Sequence, residues 1–140
     1  AEDLESLVVE IPPVAQRLIE SFWPGPLTLI FKARPELPRE LLGDRDTIAI
    51  RVSNAITTSV LLEALDGPLT STSANRSANP PVLSAEEAAR EFQSEVDLIL
   101  DGGIATSSQP STLLNVITNP VSLLREGRIS ASEIRDVAEM

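Results

Sequence analysis

The apolar and polar positions of the chain follow two patterns that alternate along the sequence. Apolar residues three or four positions apart, bounded by Pro, Ser or Gly, predict helices. Short runs that alternate apolar with polar residues, or that are rich in β-branched residues, predict strands. The predicted helices run from Asp3 to Val8, from Pro12-Pro13 to Phe22, through one turn at Arg39 to Leu42, from Ala55 to Leu65, from Ser84 to about Phe92, and onward from Ser130. The predicted strands are Leu27 to Ala33, Thr47 to Val52, Leu69 to Thr72, Val96 to Leu100, Ser111 to Ile117 and Val121 to Leu124.

Three helix starts carry residues that can satisfy the unpaired N–H groups of a first turn. Asn54 can cap the helix that follows it. Ser84 with Glu87, and Ser130 with Glu133, have the spacing of a capping box. In that motif each of the two side chains accepts a hydrogen bond from the backbone N–H of the other residue, which fixes where the helix begins.

The order of the elements predicts the fold class. Strands alternate with helices, and the last two strands are joined by Thr118-Asn119-Pro120, which indicates a hairpin. This order predicts an α/β or α+β fold, with helices flanking a twisted, mixed β-sheet. The sequence contains no internal repeat and no linker, so residues 1–140 are predicted to form one domain.

The composition excludes several kinds of chemistry. The chain has no cysteine and no histidine, so it can form neither a disulfide nor a cysteine or histidine metal site. Thiol catalysis and a Ser-His-Asp triad are excluded for the same reason. No apolar run approaches the ~20 residues of a membrane helix, and the first residues contain no export signal. We therefore expect a cytoplasmic location and no membrane partner.

The charge of the chain is strongly acidic but unevenly distributed. Its 11 Lys and Arg residues stand against 21 Asp and Glu residues, a net charge of -10, which disfavours nucleic-acid binding. Yet Pro68 to Ser84 and Gly102 to Leu124 contain no acidic residue and are rich in Ser, Thr and Asn. Two such segments suit a site for a phosphate or a carboxylate. The alternative is that they are ordinary loops and strands that happen to lack acidic residues.

Three groups of residues could bind an anionic ligand. The Ser- and Asn-rich segment 71–80 follows a short predicted strand, at the kind of strand end where open α/β sheets bind ligands. If the hairpin strands pair, Ser111 and Arg125 lie together near its open end, and Arg can hold a phosphate by two hydrogen bonds. Thr47 and Arg51 have the even spacing that places both on one face of a strand. A solvated turn and surface ion pairs are the structural alternatives for these groups.

The motifs, taken in order, resemble the YrdC-like family along essentially the whole sequence. The matching segments are FWPGPLTLIF, DTIAIRV, PLTSTSANRSANPP, ILDGG, PSTLLNV and LLREGRIS. The Trp-Pro-Gly-Pro-Leu-Thr and Ser-Ala-Asn-x-Ser blocks are the most diagnostic of them. The family pattern continues with Gly after the second Ser of the latter block, where this chain has Ala78.

The resemblance implies a YrdC-like fold and the activity of an L-threonylcarbamoyladenylate synthase. Such an enzyme joins threonine, bicarbonate and ATP into threonylcarbamoyl-AMP and releases pyrophosphate. The product then serves partner proteins that modify tRNA. ATP is a substrate, magnesium is expected on its phosphates, and the enzyme acts by positioning and charge stabilisation without a catalytic nucleophile.

The resemblance also assigns binding residues at the positions that match its motifs. Threonine would contact Arg51, Ser73 and Ser111. The nucleotide would contact Thr47, Asn75 and Arg125. No residue is assigned as a catalytic group or as a metal ligand.

By the same resemblance, the chain corresponds to the C-terminal two-thirds of the family domain. The family begins with strands, a helix and a Lys- and Arg-rich segment that binds the triphosphate. We expect this chain to lack that N-terminal portion, and its site to be incomplete for this reason.

Two other functions stay open from the sequence. One is a YrdC-like module that binds double-stranded RNA, although the net charge of -10 disfavours it. The other is a paralogous YrdC-like domain that transfers carbamoyl groups from carbamoyl phosphate. The identity of the product distinguishes such a domain from a threonylcarbamoyl-AMP synthase.

Overall fold

The computed structural model describes residues 3–92, 95–105 and 108–139 of the chain. Its helices are α1 Leu4–Leu7, α2 Pro13–Phe22, α3 Arg39–Leu42, α4 Ile56–Leu65, α5 Ala85–Phe92 and α6 Ala131–Ala138. Its strands are β1 Leu27–Lys32, β2 Thr47–Ile50, β3 Thr112–Asn115 and β4 Ser122–Arg125. Each of these elements was predicted from the sequence within a few residues. None of the described helices has the length and apolar character needed to cross a membrane.

The chain divides into two compact units. Unit 1 comprises residues 3–54 and 110–139 and contains all four strands together with α1, α2, α3 and α6. Unit 2 is the segment from 55 to 109 and contains α4 and α5. The single domain predicted over residues 1–140 stays a prediction.

The sheet of unit 1 has the strand order β2-β1-β3-β4. β1 pairs with β2 in antiparallel and with β3 in parallel orientation. β3 and β4 form an antiparallel pair around the predicted hairpin turn. A sheet with both kinds of pairing and helices beside it confirms the predicted fold class.

One face of this sheet forms the core of unit 1. Every second side chain of β1 is fully buried, namely Leu27, Leu29 and Phe31. This follows from the alternation in the sequence, since successive side chains of a strand point to opposite faces. α2 and α6 contact each other and add Leu18 and Ile134 to the core. Each such side chain contributes roughly 1.5–3 kcal/mol when it is removed from water.

A buried hydroxyl group joins β3 to the segment that follows β4. Thr112 is fully buried, and its Oγ1 donates a hydrogen bond to the Ile129 carbonyl oxygen at 2.6 Å. The same oxygen accepts the N–H groups of Gly127 and Ile129, both at 3.0 Å. Gly127 packs so closely that a Cβ atom there would lie 2.3 Å from the Pro110 carbonyl oxygen. These contacts hold the start of β3 against the segment that follows β4.

The capping predictions have three different outcomes. Ser130 and Glu133 form the complete capping box of α6, and the hydrogen bonds from Ser130 lower the pKa of the Glu133 carboxyl group. At α5, Ser84 Oγ accepts the Glu87 N–H at 3.1 Å, but the Glu87 carboxylate accepts the N–H of the residue before Ser84. The prediction for Asn54 is wrong, because α4 begins one residue later than predicted and has no side-chain cap.

Unit 2 contains neither of the two strands predicted within it. Residues 69–72 and 96–100 form no strand, so both predictions are wrong. A strand needs a neighbouring chain for its hydrogen bonds, and among the described residues none pairs with these segments. The apolar side chains of unit 2 stay largely exposed, with 81% exposure at Ile56, 72% at Leu98 and 80% at Ile104.

Candidate functional site

The second face of the unit 1 sheet carries polar and cationic side chains. Thr28 lies between the buried Leu27 and Leu29, so its side chain points away from the core. The register places Thr47 opposite Lys32, on this same face. We call this surface the polar face, and its polar and cationic side chains are those of Thr28, Lys32, Thr47, Arg51, Ser111 and Arg125.

Three polar side chains contact one another on the polar face. The hydroxyl groups of Thr28 and Ser111 lie 2.7 Å apart and share a hydrogen bond. The Arg125 guanidinium donates from Nε and Nη2 to the Ser111 carbonyl oxygen, at 3.2 and 3.0 Å. Nη2 also lies 3.4 Å from Ser111 Oγ. The predicted proximity of Ser111 and Arg125 is therefore confirmed, whereas their roles in binding stay predictions.

An irregularity in the hairpin directs Arg125 to the polar face. Leu114 pairs with Leu123, but the next pair joins Leu113 to Arg125 and passes over Leu124. Such a bulge adds one residue to one strand and changes the side on which the next side chain emerges. Leu113 is a polar-face position because it alternates with buried residues on β3. The bulge thus places Arg125 beside Ser111.

Arg51 lies immediately after β2, and its side chain has no partner in the part of the chain that the structure describes. The chain stays beside β1 at this point, because the Gly25 N–H donates to the Val52 carbonyl oxygen at 2.8 Å. Alternation from β2 places Arg51 on the same face as Thr47, as predicted. Its side chain is exposed and forms no hydrogen bond or ion pair within the described residues. It is therefore available to an anionic ligand.

The polar face carries cationic side chains although the chain as a whole is acidic. Its strand positions and strand ends include Lys32, Arg51 and Arg125 but no Asp or Glu. An acidic side chain nearby would neutralise these cations, and within the described residues none forms an ion pair with them. Arg can hold a carboxylate or phosphate through two parallel hydrogen bonds.

The other two predicted site residues, Ser73 and Asn75, lie in unit 2. The Ser73 carbonyl oxygen accepts the Asn75 N–H at 3.1 Å, which closes a tight turn. The Asn75 side-chain amide donates from Nδ2 to the Arg76 carbonyl oxygen at 3.0 Å. Asn75 Oδ1 is buried and has no hydrogen-bond partner among the described residues. A buried acceptor without a partner is unfavourable unless a ligand supplies the donor.

Ala78 occupies a strained position in the same loop. Its φ angle is 69°, in the left-handed region where an L-residue with a Cβ atom costs roughly 1–2 kcal/mol. Gly adopts this conformation without that cost. Glycine, which the family pattern has at this position, would adopt this conformation at lower cost than Ala78 does.

No candidate metal centre is formed by side chains in the described parts of the chain, where no three His, Cys, Asp or Glu residues converge. Sequence reasoning missed Thr28, which the structure places against Ser111. The indication was present in the sequence, because Thr28 is a hydroxyl residue within an otherwise apolar strand. Its contact depends on the parallel pairing of β1 with β3, which local patterns do not reveal.

Comparison with known proteins gives a family match over most of the chain. The profile of the Sua5/YciO/YrdC family, described as telomere recombination, matches residues 1–127. Threonylcarbamoyl-AMP synthase from Pyrococcus abyssi is 37% identical over 136 residues, which are 97% of this chain and 40% of that protein. The enzyme of the same name from Klebsiella pneumoniae is 39% identical over 109 residues, which are 78% of this chain and 56% of that protein.

Solved structures also match most of the chain. The structure of P. abyssi Sua5 complexed with L-threonine matches with a TM-score of 0.92 at 37% identity, over 97% of this chain and 40% of that chain. E. coli YciO matches with a TM-score of 0.85 at 31% identity, over 95% of this chain and 65% of that chain. The chain thus spans only part of the length of these relatives.

Proposed function

Because the chain belongs to the Sua5/YciO/YrdC family, we propose that the protein containing it forms threonylcarbamoyl-AMP from L-threonine, bicarbonate and ATP. Relatives named for this activity share 37% and 39% of the aligned residues. A homologous Sua5 has been solved with L-threonine. The observation that carries the proposal is that Arg51, which has no partner among the described residues, lies on the same face as the Ser111–Arg125 pair. Two separate cationic positions suit the threonine carboxylate and the phosphates of ATP.

The proposed reaction needs no nucleophile from the protein. The amine of threonine adds to bicarbonate with loss of water, which gives an N-carboxylate. An oxygen of this carboxylate attacks the α-phosphorus of ATP, the bond to the β-phosphate oxygen breaks, and pyrophosphate leaves. The protein contributes by holding the two reactants in line and by stabilising the charge that develops on the phosphates.

Each of the binding residues on the polar face is assigned to one substrate. Arg51 would hold the threonine carboxylate, and Ser111 would donate a hydrogen bond to the same substrate. Arg125 and Thr47 would contact the nucleotide. Separately, the family motif assigns Ser73 to threonine and Asn75 to the nucleotide. Magnesium would enter bound to the ATP phosphates as part of the substrate.

The use of the product and the location of the protein are also proposals. The adenylate would pass to partner proteins that modify tRNA, in the cytoplasm. An RNA-binding module and a carbamoyl-transfer domain are not favoured, because the relatives are named threonylcarbamoyl-AMP synthase. The net charge of -10 also speaks against RNA as the main ligand.

The full-length product of the gene that encodes this chain is the material for the test. With labelled threonine, bicarbonate and ATP, we expect threonylcarbamoyl-AMP and pyrophosphate in equal amounts. Both products should disappear when threonine or bicarbonate is omitted. Pyrophosphate released without threonine, or a labelled product that requires carbamoyl phosphate, would contradict the proposal.

Replacement of Arg51 by lysine should weaken threonine binding by about tenfold, which corresponds to ~1.4 kcal/mol. Lysine keeps the charge but cannot form two parallel hydrogen bonds to a carboxylate. Calorimetric titration of threonine and of ATP into the full-length protein measures both affinities, and the ATP affinity should change much less. Arg45→Lys is the matched control, because Arg45 is exposed on the connection before β2. Equal losses for both ligands in Arg51→Lys would argue against the assignment.

A further inference from the structure

Arg76 is the one charged residue in the segment from 68 to 84. It follows Asn75 directly, yet the proposed reaction gives it no role. Its side chain is only half-exposed, because it extends over Glu91 of α5 and over Glu95 beyond that helix. A charged group in an otherwise neutral loop requires a physical explanation.

The Arg76 guanidinium is held by several groups at once. Its Nη2 donates to the Glu91 carbonyl oxygen at 3.0 Å, and its Nε lies 3.4 Å from the Glu91 carboxylate. Both terminal nitrogens contact the Glu95 carboxylate, with Nη1 at 3.4 Å. The guanidinium carbon also lies 6.0 Å from the centre of the Phe92 ring. The hydrogen bonds from Arg76, and then its charge, lower the pKa of the Glu95 carboxyl group.

The backbone of the same residue is connected to Asn75. The Arg76 carbonyl oxygen accepts both the Asn75 Nδ2 amide at 3.0 Å and the Asn79 N–H at 2.9 Å. These bonds determine the direction of the Asn75 amide, and its Oδ1 is left buried without a partner among the described residues. A continuous set of contacts therefore leads from α5 through Arg76 to an unpaired acceptor.

We propose that Arg76 is a positioning residue that anchors the loop to α5 and thereby holds Asn75 Oδ1 ready to accept a hydrogen bond from an N–H or O–H group of the nucleotide. The inference rests on the proposed function, because it takes Asn75 as a nucleotide contact. Exposed ion pairs add little to overall stability, so the main effect of Arg76 should be on binding. The substrate donor replaces the partner that Oδ1 lacks.

The test measures kcat and KM for ATP in the full-length protein. Arg76→Met keeps the length of the side chain and removes its charge and hydrogen bonds, and it should raise the KM for ATP about tenfold with a smaller change in kcat. Arg76→Lys should recover part of the loss, because lysine can pair with one carboxylate but cannot form the forked contacts. Arg90→Met is the matched control, since Arg90 is exposed on α5 and makes no ion pair within the described residues.

A double-mutant comparison shows whether Arg76 acts through Asn75. In the Asn75→Ala background, Arg76→Met should change the KM for ATP by less than twofold, because the group that it positions is gone. A full tenfold effect in that background, or no effect of Arg76→Met alone, overturns the proposal. If Arg76→Met does not fold, Glu95→Gln tests the same anchor and should raise the KM in the same direction. A wild-type protein that forms no adenylate contradicts the proposed function instead.

Discussion

Replacement of Gly127 by alanine is expected to lower the free energy of unfolding of unit 1 by about 3 kcal/mol, at the upper end of typical overpacking costs. An added Cβ atom would lie 2.3 Å from the Pro110 carbonyl oxygen, 2.5 Å from Ser111 C and 2.6 Å from Thr112 N. All three are backbone atoms of one segment, so no side-chain rotation can relieve the contact. Either the segment before β3 or the segment after β4 must move.

The fluorescence of Trp23 reports this change selectively in the 140-residue chain. It is the only tryptophan, it lies in unit 1, and its Nε1 donates to the Leu27 carbonyl oxygen at 2.7 Å. The free energy of unfolding typically falls by about 1–3 kcal/mol per M of urea, so the midpoint of unfolding in urea should fall by about 1 M or more. Gly67→Ala is the control, because a Cβ atom at Gly67 meets nothing within 4 Å. A midpoint for Gly127→Ala equal to that of the control would show that the close approach does not stabilise unit 1.

The same contact connects the stability of unit 1 to its polar face. The segment against which Gly127 packs includes Ser111, and Ser111 is the residue that Arg125 contacts. A displacement there would separate the two partners. For this reason Gly127→Ala is unsuitable as a probe of ligand binding, and variants at exposed positions are needed for that purpose.

Local patterns in the sequence predicted the helices of both units, and they predicted those strands whose pairing partners lie within unit 1. The alternation in Leu27 to Ala33 predicted the correct buried face, because side chains of α2 and α6 join the same hydrophobic core. The same kind of pattern at Leu69 to Thr72 and Val96 to Leu100 predicted strands that do not form. Hydrogen bonds to a neighbouring strand decide between the two outcomes, and no local pattern contains that information.

The candidate site could be predicted only in part for a similar reason. The pairing of Ser111 with Arg125 follows from a short hairpin, so it was accessible from the sequence. The bulge between Leu113 and Leu114, which directs Arg125 toward Ser111, was not. Thr28 and the anchoring of Arg76 depend on contacts between residues far apart in the chain. The sequence indicated which residue types could bind an anion but not how they are held.

Replacement of Arg125 by alanine in the full-length protein is expected to weaken ATP binding by about 10- to 150-fold. A hydrogen bond to a charged group is worth ~1.5–3 kcal/mol, and ~1.4 kcal/mol corresponds to tenfold. Within this chain Arg125 uses Nε and Nη2 for Ser111, and Nη1 has no partner among the described residues. It therefore retains donors for a phosphate while Ser111 fixes its direction. Calorimetric titration with ATP and with threonine measures the effect.

The Arg125 experiment must separate a phosphate contact from a structural one, because the same side chain ties Ser111 to β4. Arg125 is exposed, so the thermal midpoint of Arg125→Ala should stay near that of the wild type. Arg128→Ala removes the same charge from an exposed position three residues away, and its ATP affinity should change by less than threefold. Arg125→Lys should lie between wild type and Arg125→Ala, since it keeps the charge without the fork. If Arg125→Ala lowers the thermal midpoint while its folded fraction binds ATP normally, then Arg125 serves the hairpin and the phosphate must be held elsewhere. If Arg125→Ala and Arg128→Ala lose equal affinity, the effect is one of overall charge.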